Sequence, residues 1–345
     1  MRGVVVEQKG IVTVKDDIPE PVLGSYDALV KIVSCGFCNG TDIRIIDNDM
    51  TEIQGAQPYP LVLGHEAAGI VESVGDKVRN YEVGKKYIRI GGNSVTEGGK
   101  YFSMHGQMAE YGKITDFAAM MEDGIDLPKH PFFSLKPALL PDDFDMIDAG
   151  GLLPMCECLS AVRNFDINEN TDVLIYGAGP MGLAIMQYMR IVGVKSIVTI
   201  DSVPERLQKA LDIAKVDEVH NFMTEKIDDV LEGRLFDRVI DAVGLSSVIM
   251  EGTKRLRPFG MMCCLGVLKK GDSTIDLSFL KNNTRLQMLN FPYQEYGVLD
   301  ENIQFTKDGK INPKDYYSHV LPIEEVNEAI RLVRNKETIK VIMTL

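Results

Sequence analysis

The run Asp172-Val173-Leu174-Ile175-Tyr176-Gly177-Ala178-Gly179-Pro180-Met181-Gly182-Leu183-Ala184 carries the architecture of this chain. Residues 172–176 form a strand-sized apolar run, and residues 180–192 carry helical periodicity. Gly177, Gly179 and Gly182 stand between them at the spacing G-x-G-x-x-G. That spacing alone is a weak signal. After a strand and at the start of a helix it reads as a turn that cradles the pyrophosphate of a dinucleotide. Outward from it the same texture repeats. Strand-like runs at 196–200, 239–242 and 260–266 alternate with helical patterns at 204–213 and 246–256. Such alternation implies βαβ units and a parallel sheet covered on both faces.

Before about residue 171 the texture differs. Short Val- and Ile-rich runs at 4–6, 11–14, 28–33, 68–74 and 87–90 are punctuated by Gly and Pro. After about residue 290 that mixed texture returns, ending on a strand-like 339–344. The expected division is a β-rich domain from 1–150 and 291–345, with a dinucleotide-binding domain at 151–290 inserted in it. A chain of 345 residues accommodates about two domains.

With 45% hydrophobic and 25% charged residues, the composition is that of a globular protein rather than a disordered one. No apolar run reaches 18 residues, so no membrane span is expected. Lys and Arg number 37 against 50 Asp and Glu, a formal charge of −13. An acidic surface repels phosphate backbones, which argues against nucleic acid as a partner. Six cysteines are too sparse for a disulfide scaffold, and Glu7 follows the start too soon for a signal-peptide core. The expected location is a reducing cytoplasm.

In the dinucleotide reading, Gly177 permits the tight turn, Gly179 lets the backbone approach the pyrophosphate, and Gly182 lets helix and strand pack closely. Pro180 and Met181 open the helix, whose N-terminus faces the phosphate charge. Asp201, 24 residues after Gly177, ends the next strand. A carboxylate there accepts the ribose hydroxyls of NAD. It also repels the 2′-phosphate of NADP, by roughly 4 kcal/mol for two charges 4 Å apart at an effective dielectric near 20. Arg206 either covers the adenosine or weakens that exclusion. The plainer alternatives are a structural turn for the glycines and a helix N-cap for Asp201.

A second constellation lies upstream. Gly64-His65-Glu66 follows the apolar run 61–63, and Cys35-Gly36-Phe37-Cys38-Asn39-Gly40-Thr41-Asp42 precedes both. A Cys thiolate, a His nitrogen and a carboxylate suit tetrahedral zinc with one open position. On Gly64-His65-Glu66-x-x-Gly69-x5-Gly75-x-x-Val78, on Cys38 before Thr41-Asp42 and on Gly177–Gly182, the sequence resembles the medium-chain, zinc-dependent alcohol and polyol dehydrogenases. Gly106-Gln107-Met108-Ala109-Glu110-Tyr111 and Asp241-Ala242-Val243-Gly244 resemble further segments of that family. The resemblance covers nearly the whole chain and is nearer to polyol and sugar dehydrogenases than to ethanol enzymes.

The resemblance implies a Rossmann doubly wound parallel sheet plus a β-rich, GroES-like catalytic domain. It implies an NAD-dependent oxidoreductase that interconverts a secondary alcohol, a polyol or sugar-like small molecule, and a ketone. Carried over by position, Cys38 and His65 bind catalytic zinc, and Glu66 is a ligand or a carboxylate just behind one. Asp42 orients His65, and Thr41 relays the hydroxyl proton. Val243, Leu265 and Val267 line the cofactor site. A homodimer or homotetramer joined near 271–277 is implied as well.

Three departures stand out. Asn39-Gly40 occupies two positions where the family usually has one, so Thr41 follows Cys38 by three. The region aligned with the family's four-cysteine lobe, 91–111, holds no cysteine, so no structural zinc is expected. Leu153-Pro154 stands where polyol enzymes carry Glu-Pro, and leucine cannot bind metal. Glu157, one helical turn on, either takes over as ligand or faces solvent. Cys156 is a weaker candidate. A metal-free enone or quinone reductase of the same fold and a non-catalytic nucleotide-binding protein are the alternatives. Cys263 and Cys264 read as packing, as does Cys35 in preference to a C-x-x-C pair. His105 lines the cleft or sits in an exposed loop. Residues 121–138, with Pro128, Pro131 and Pro137, read as an irregular insertion.

Overall fold

The computed structural model describes residues 1–50, 58–89, 96–103, 105–127, 136–272 and 274–345, with the side chain of residue 97 also outside the description. Residues 128–135 of the expected insertion, His130 among them, lie outside the described residues, as do 91–95 and 104 of the region expected to lack a structural zinc. The insertion's start is not irregular: a helix, Phe117–Glu122, runs into it, capped by Asp116 accepting from Ala119 N–H.

Two compact units form. One comprises Met1–Pro154, Leu299–Ile303 and Tyr317–Leu345; the other comprises Met155–Val298 and Gln304–Tyr316. The division expected from the sequence, with 151–290 in the nucleotide domain and 291–345 wholly in the β-rich part, differs over 151–154, 291–298 and 304–316. Asn164 Nδ2 donates to Tyr293 O (3.2 Å) and Gln187 Nε2 to Lys310 O (3.1 Å), while the Tyr188 and Phe305 rings pack 6.5 Å apart. These contacts hold the latter two segments on the nucleotide unit, and no local composition signals them.

The first unit opens with β1 (Gly3–Gln8), β2 (Ile11–Lys15), β3 (Asp27–Phe37), β4 (Leu61–Val62), β5 (Glu66–Val74), β6 (Lys86–Ile88), β7 (Phe102–Ser103) and β8 (Tyr111–Thr115). The second unit supplies β9 (Asp172–Tyr176), β10 (Ser196–Asp201), β11 (Glu218–Asn221), β12 (Phe236–Asp241), β13 (Leu256–Cys264) and β14 (Arg285–Met288). The chain then returns to the first unit for β15 (His319–Pro322) and β16 (Val341–Thr344).

In the second unit all the pairings are parallel and the strand order is β11-β10-β9-β12-β13-β14. This is the doubly wound order, with its reversal between β9 and β12, where ligands settle beyond the carboxyl ends of the strands. Every residue of β9 is buried, as a strand covered on both faces requires. Leu174, Val198, Phe236, Val239, Ile249 and Met262 anchor one side of its core.

The first unit has a four-stranded sheet, β2-β1-β4-β7, and a second sheet ordered β15-β16-β3-β5-β6, with β8 also pairing β3. Register in the second sheet matters most for chemistry. Antiparallel pairing sets Gly36 of β3 opposite Glu66 of β5, and Phe37 opposite Val341 of β16. The ends of three strands distant in sequence therefore meet beside the turn that follows Phe37. Val30, Ile32, Phe37, Leu63, Val71, Met108 and Val341 form the buried core behind it.

Candidate functional site

Cys38 leaves β3 and begins a short turn, and helix Thr41–Asp47 starts three residues later. The added residue noted in the sequence is absorbed in that turn. Gly40 has open space where a Cβ would stand, and Asn39 Nδ2 donates to Ile339 O (2.7 Å). Asp42, fully buried in the helix's first turn, accepts the Cys38 N–H through Oδ2 (2.9 Å). Its other oxygen lies 3.2 Å from His65 Nδ1. A carboxylate on Nδ1 directs Nε2 the other way, toward Glu66 Oε1 at 3.8 Å. Burial lowers the His65 pKa, but the Asp42 charge and hydrogen bond, followed by Cys38, overcome it and raise it well above 6.5. Thr41 meets Cys38 through its backbone, N–H to Sγ at 3.4 Å.

One ligand atom each from Cys38, His65 and Glu66 lies within 4.8 Å of the others. The three residues the sequence singled out as a metal triad are thus brought together, with Asp42 behind the imidazole. Lys340 was not foreseen. Its Nζ, buried with the rest of the side chain, is 2.9 Å from Glu66 Oε1 and 2.6 Å from Oε2. Burial lowers the ammonium's pKa, yet the Glu66 charge, then Cys38, raise it above the ordinary value. Gly36 makes room for this pair, because a Cβ there would overlap Glu66 Oε2 and the Gly150 carbonyl. The available signal was a lysine inside the apolar run Ile339-Lys340-Val341-Ile342-Met343. Its partner could be named only once β16 was seen to pair with β3.

The donor set fits a divalent cation. With the imidazole neutral, as a metal ligand must be, Asp42, Glu66 and a Cys38 thiolate offer three negative charges against one positive charge on Lys340. The remaining two are what Zn²⁺ neutralises, and thiolate with imidazole is its preferred company. His105 packs its ring 5.8 Å from that of His65, so it borders this cluster. Leu153, at the family's usual glutamate position, is buried and apolar. Glu157 lies on the helix Leu152–Asn164, in the second unit. Cys35 is fully buried with its thiol pushed up to about 12 by burial, and Cys263 and Cys264 are likewise buried in β13, as packing residues would be.

In the second unit the glycine-rich turn joins β9 to helix Pro180–Ile191. Gly177 has φ +103°, a conformation open to glycine alone among common residues. A Cβ on Gly182 would overlap the Gly177 carbonyl. Gly179 differs: a Cβ there would meet nothing nearer than Arg206 Nη1 at 3.8 Å. No contact within the protein demands glycine at 179. Asp201 Oδ2 accepts the Ala178 N–H (2.7 Å), and Oδ1 accepts from Ser202 (2.7 Å) and Val203 (2.9 Å). The N-cap of the following helix is Val203, not Asp201. Val243 is half-exposed beyond β12, and Leu265 and Val267 follow β13. Gly177, Asp201, Val243, Leu265 and Val267 thus all stand at or beyond the carboxyl ends of parallel strands, and Arg206 reaches the glycine turn.

Two family models match the chain: the alcohol dehydrogenase GroES-like domain over residues 24–122 and the zinc-binding dehydrogenase domain over residues 180–305. The chain belongs to the zinc-dependent medium-chain alcohol and polyol dehydrogenases. It is therefore an oxidoreductase of the alcohol dehydrogenase family. Among relatives of this dehydrogenase, L-idonate 5-dehydrogenase of Vitis vinifera is 26% identical over 94% of this chain and 90% of its own. Glucose 1-dehydrogenase of Thermoproteus tenax is 28% identical over 95% and 94%. The alcohol dehydrogenase of Thermus sp. ATN1 shares the dehydrogenase's fold with a TM-score of 0.81 at 21% identity, each chain covered completely. No helix among the described residues is long and apolar enough to cross a membrane.

Proposed function

We propose that this dehydrogenase oxidises a secondary alcohol of a polyol, sugar or sugar derivative to a ketone, with zinc at Cys38, His65 and Glu66 and NAD as hydride acceptor. The observation that carries the reading is the triad itself, three ligand atoms within 4.8 Å backed by Asp42 and Lys340. The relatives named for L-idonate and glucose support the substrate class.

A zinc ion held there supplies Lewis acidity toward the alcohol oxygen, and the nicotinamide supplies the redox chemistry. The chain's own residues do the rest. Asp42 holds the His65 ring in one tautomer, leaving Nε2 to bind. Lys340 holds Glu66 in place, either as a ligand or one step behind. Thr41, beside Cys38, relays the hydroxyl proton outward. Gly179 admits the pyrophosphate to the helix N-terminus, and Asp201 accepts the ribose hydroxyls through the lone pair of Oδ2 not used by Ala178. The same carboxylate excludes the extra phosphate of NADP. Val243, Leu265 and Val267 bound the cofactor. Glu157 is proposed as the protein's replacement for the ligand lost at Leu153. No second, structural zinc is proposed, and a dimer or tetramer is the proposed assembly.

The test is metal content followed by turnover. Protein prepared without chelator should hold about one zinc per chain, and should reduce NAD⁺ with a panel of polyols and sugars faster than NADP⁺. Zinc-free protein that reduces enones or quinones with NAD(P)H would overturn the reading in favour of a metal-free reductase, which the apolar Leu153 would suit.

A further inference from the structure

Away from the triad, the first unit buries a second positive charge. Arg89, at the end of β6, is 4% exposed. Its Nη1 donates to His105 O (2.8 Å), while Nε has no hydrogen-bond partner. Among the described residues no carboxylate lies within 4.0 Å of its guanidinium. Cys35 is its electrostatic neighbour, and burial keeps that thiol neutral. Burial pulls the Arg89 pKa down to about 10, the mark of a charge removed from water without a counter-ion. Such a charge costs several kcal/mol unless something pairs with it.

The surroundings make room for a partner. Arg89 lines a cavity of about 40 Å³ together with Val62, Thr96, Ser103, Tyr111 and Gly112. At roughly 10–15 Å³ per water centre, that space takes about three waters or one small tetrahedral ion. Gly112 is part of the construction, because a Cβ there would overlap Arg89 Nε. Lys113 adds positive potential at the rim, although it is itself 3.2 Å from Asp27. A guanidinium has five donors in a planar fork, one of them spent on His105 O, and its natural complement is an oxyanion.

We propose that this cavity is a binding site for a small tetrahedral oxyanion, inorganic phosphate or its equivalent, held by Arg89. The site uses none of the triad's ligands and none of the glycines of the nucleotide turn; it reaches the triad only through His105, whose ring stands 5.8 Å from that of His65. Its anion neutralises a buried charge that has no counter-ion among the described residues, and it adds to the Arg89–His105 hydrogen bond that ties β6 to the loop carrying His105.

Thermal unfolding of the zinc-loaded protein tests this. Phosphate should raise Tm with the logarithm of its concentration above Kd, by about 2–4 °C at ten times Kd. Chloride at matched ionic strength should not, and acetate should do less. Arg89→Met should abolish the phosphate-dependent rise while keeping its zinc and a Tm in chloride no lower than wild type, since it removes an unpaired buried charge. Gly112→Ala, which crowds the guanidinium, should weaken phosphate at least tenfold. Equal responses to phosphate and chloride in the wild type would overturn the proposal whether or not the variants fold, as would an undiminished rise in Arg89→Met. A hexitol phosphate binding more tightly than inorganic phosphate would overturn the free ion as occupant.

Discussion

The glycine turn of the second unit and the metal triad of the first are built on opposite principles. Gly177, Gly179 and Gly182 lie within six residues of chain, and one strand end and one helix start place them. Cys38, Asp42, His65, Glu66 and Lys340 span nearly the whole chain and meet because β3 pairs with both β5 and β16. The turn tolerates change according to local sterics. The triad depends on buried charges that must balance one another, so losing one member strands the rest.

The largest effect is expected from Cys38→Ser. Losing the thiolate should lower zinc content to near zero and kcat/KM at least about 10³-fold, since the metal is worth several kcal/mol. NAD affinity, a property of the other unit, should stay within about twofold. A parallel fall in NAD affinity would break the contrast between the two regions.

Lys340→Met should come next. Removing one partner of a buried pair costs about 3–5 kcal/mol because the other charge is left alone. Denaturant unfolding of zinc-free protein should show that loss. Zinc-loaded protein should lose less, since the cation supplies the missing charge, and Lys340→Arg should recover most of it. Equal losses with and without zinc would mean that the lysine serves only packing.

The turn is sharpened by a pair of variants. Gly182→Ala should destabilise by about 1–3 kcal/mol, because its methyl meets the Gly177 carbonyl. Gly179→Ala should leave stability almost unchanged yet weaken NAD binding, since nothing in the protein occupies that space. If Gly179→Ala loses as much stability as Gly182→Ala, the bareness at 179 belongs to the fold rather than to a ligand.

The smallest effect concerns acid stability of the second unit. Burial would raise the Asp172 pKa, but Lys195 (2.9 Å), Ser196 (2.7 Å) and Arg257 (2.7 Å) bring it from 3.8 down to about 2. A carboxyl depressed in this way contributes stability that is complete above pH 3.8 and is lost as pH falls through about 2. Asp172→Asn should therefore flatten the acid limb of the unfolding midpoint over that window. An unchanged acid limb would remove the cluster from the unit's stability.

Legibility follows the same divide. The glycine turn, Asp201 and the strand–helix alternation were readable because their meaning lies in neighbouring residues. Cys38, His65 and Glu66 were readable as residue types that zinc selects, and through resemblance. Lys340 was not, because a lysine in an apolar strand has no visible partner until register is known. Nor was the attachment of 304–316 to the nucleotide unit, which rests on contacts such as Gln187 with Lys310. The sequence does not place His105; packing sets its ring 5.8 Å from that of His65. The burial of Arg89 without a counter-ion among the described residues is invisible in a string of letters.

Chain order alone was enough to specify the parallel sheet, the phosphate-cradling turn and a metal-seeking set of side chains, since backbone propensity and ligand chemistry are local properties. Strand register alone determined that Glu66 faces a lysine 274 positions away and that Arg89 is shut in beside Gly112. Charge balance in a low-dielectric interior depends on distances through space, and those exist only once the chain has folded.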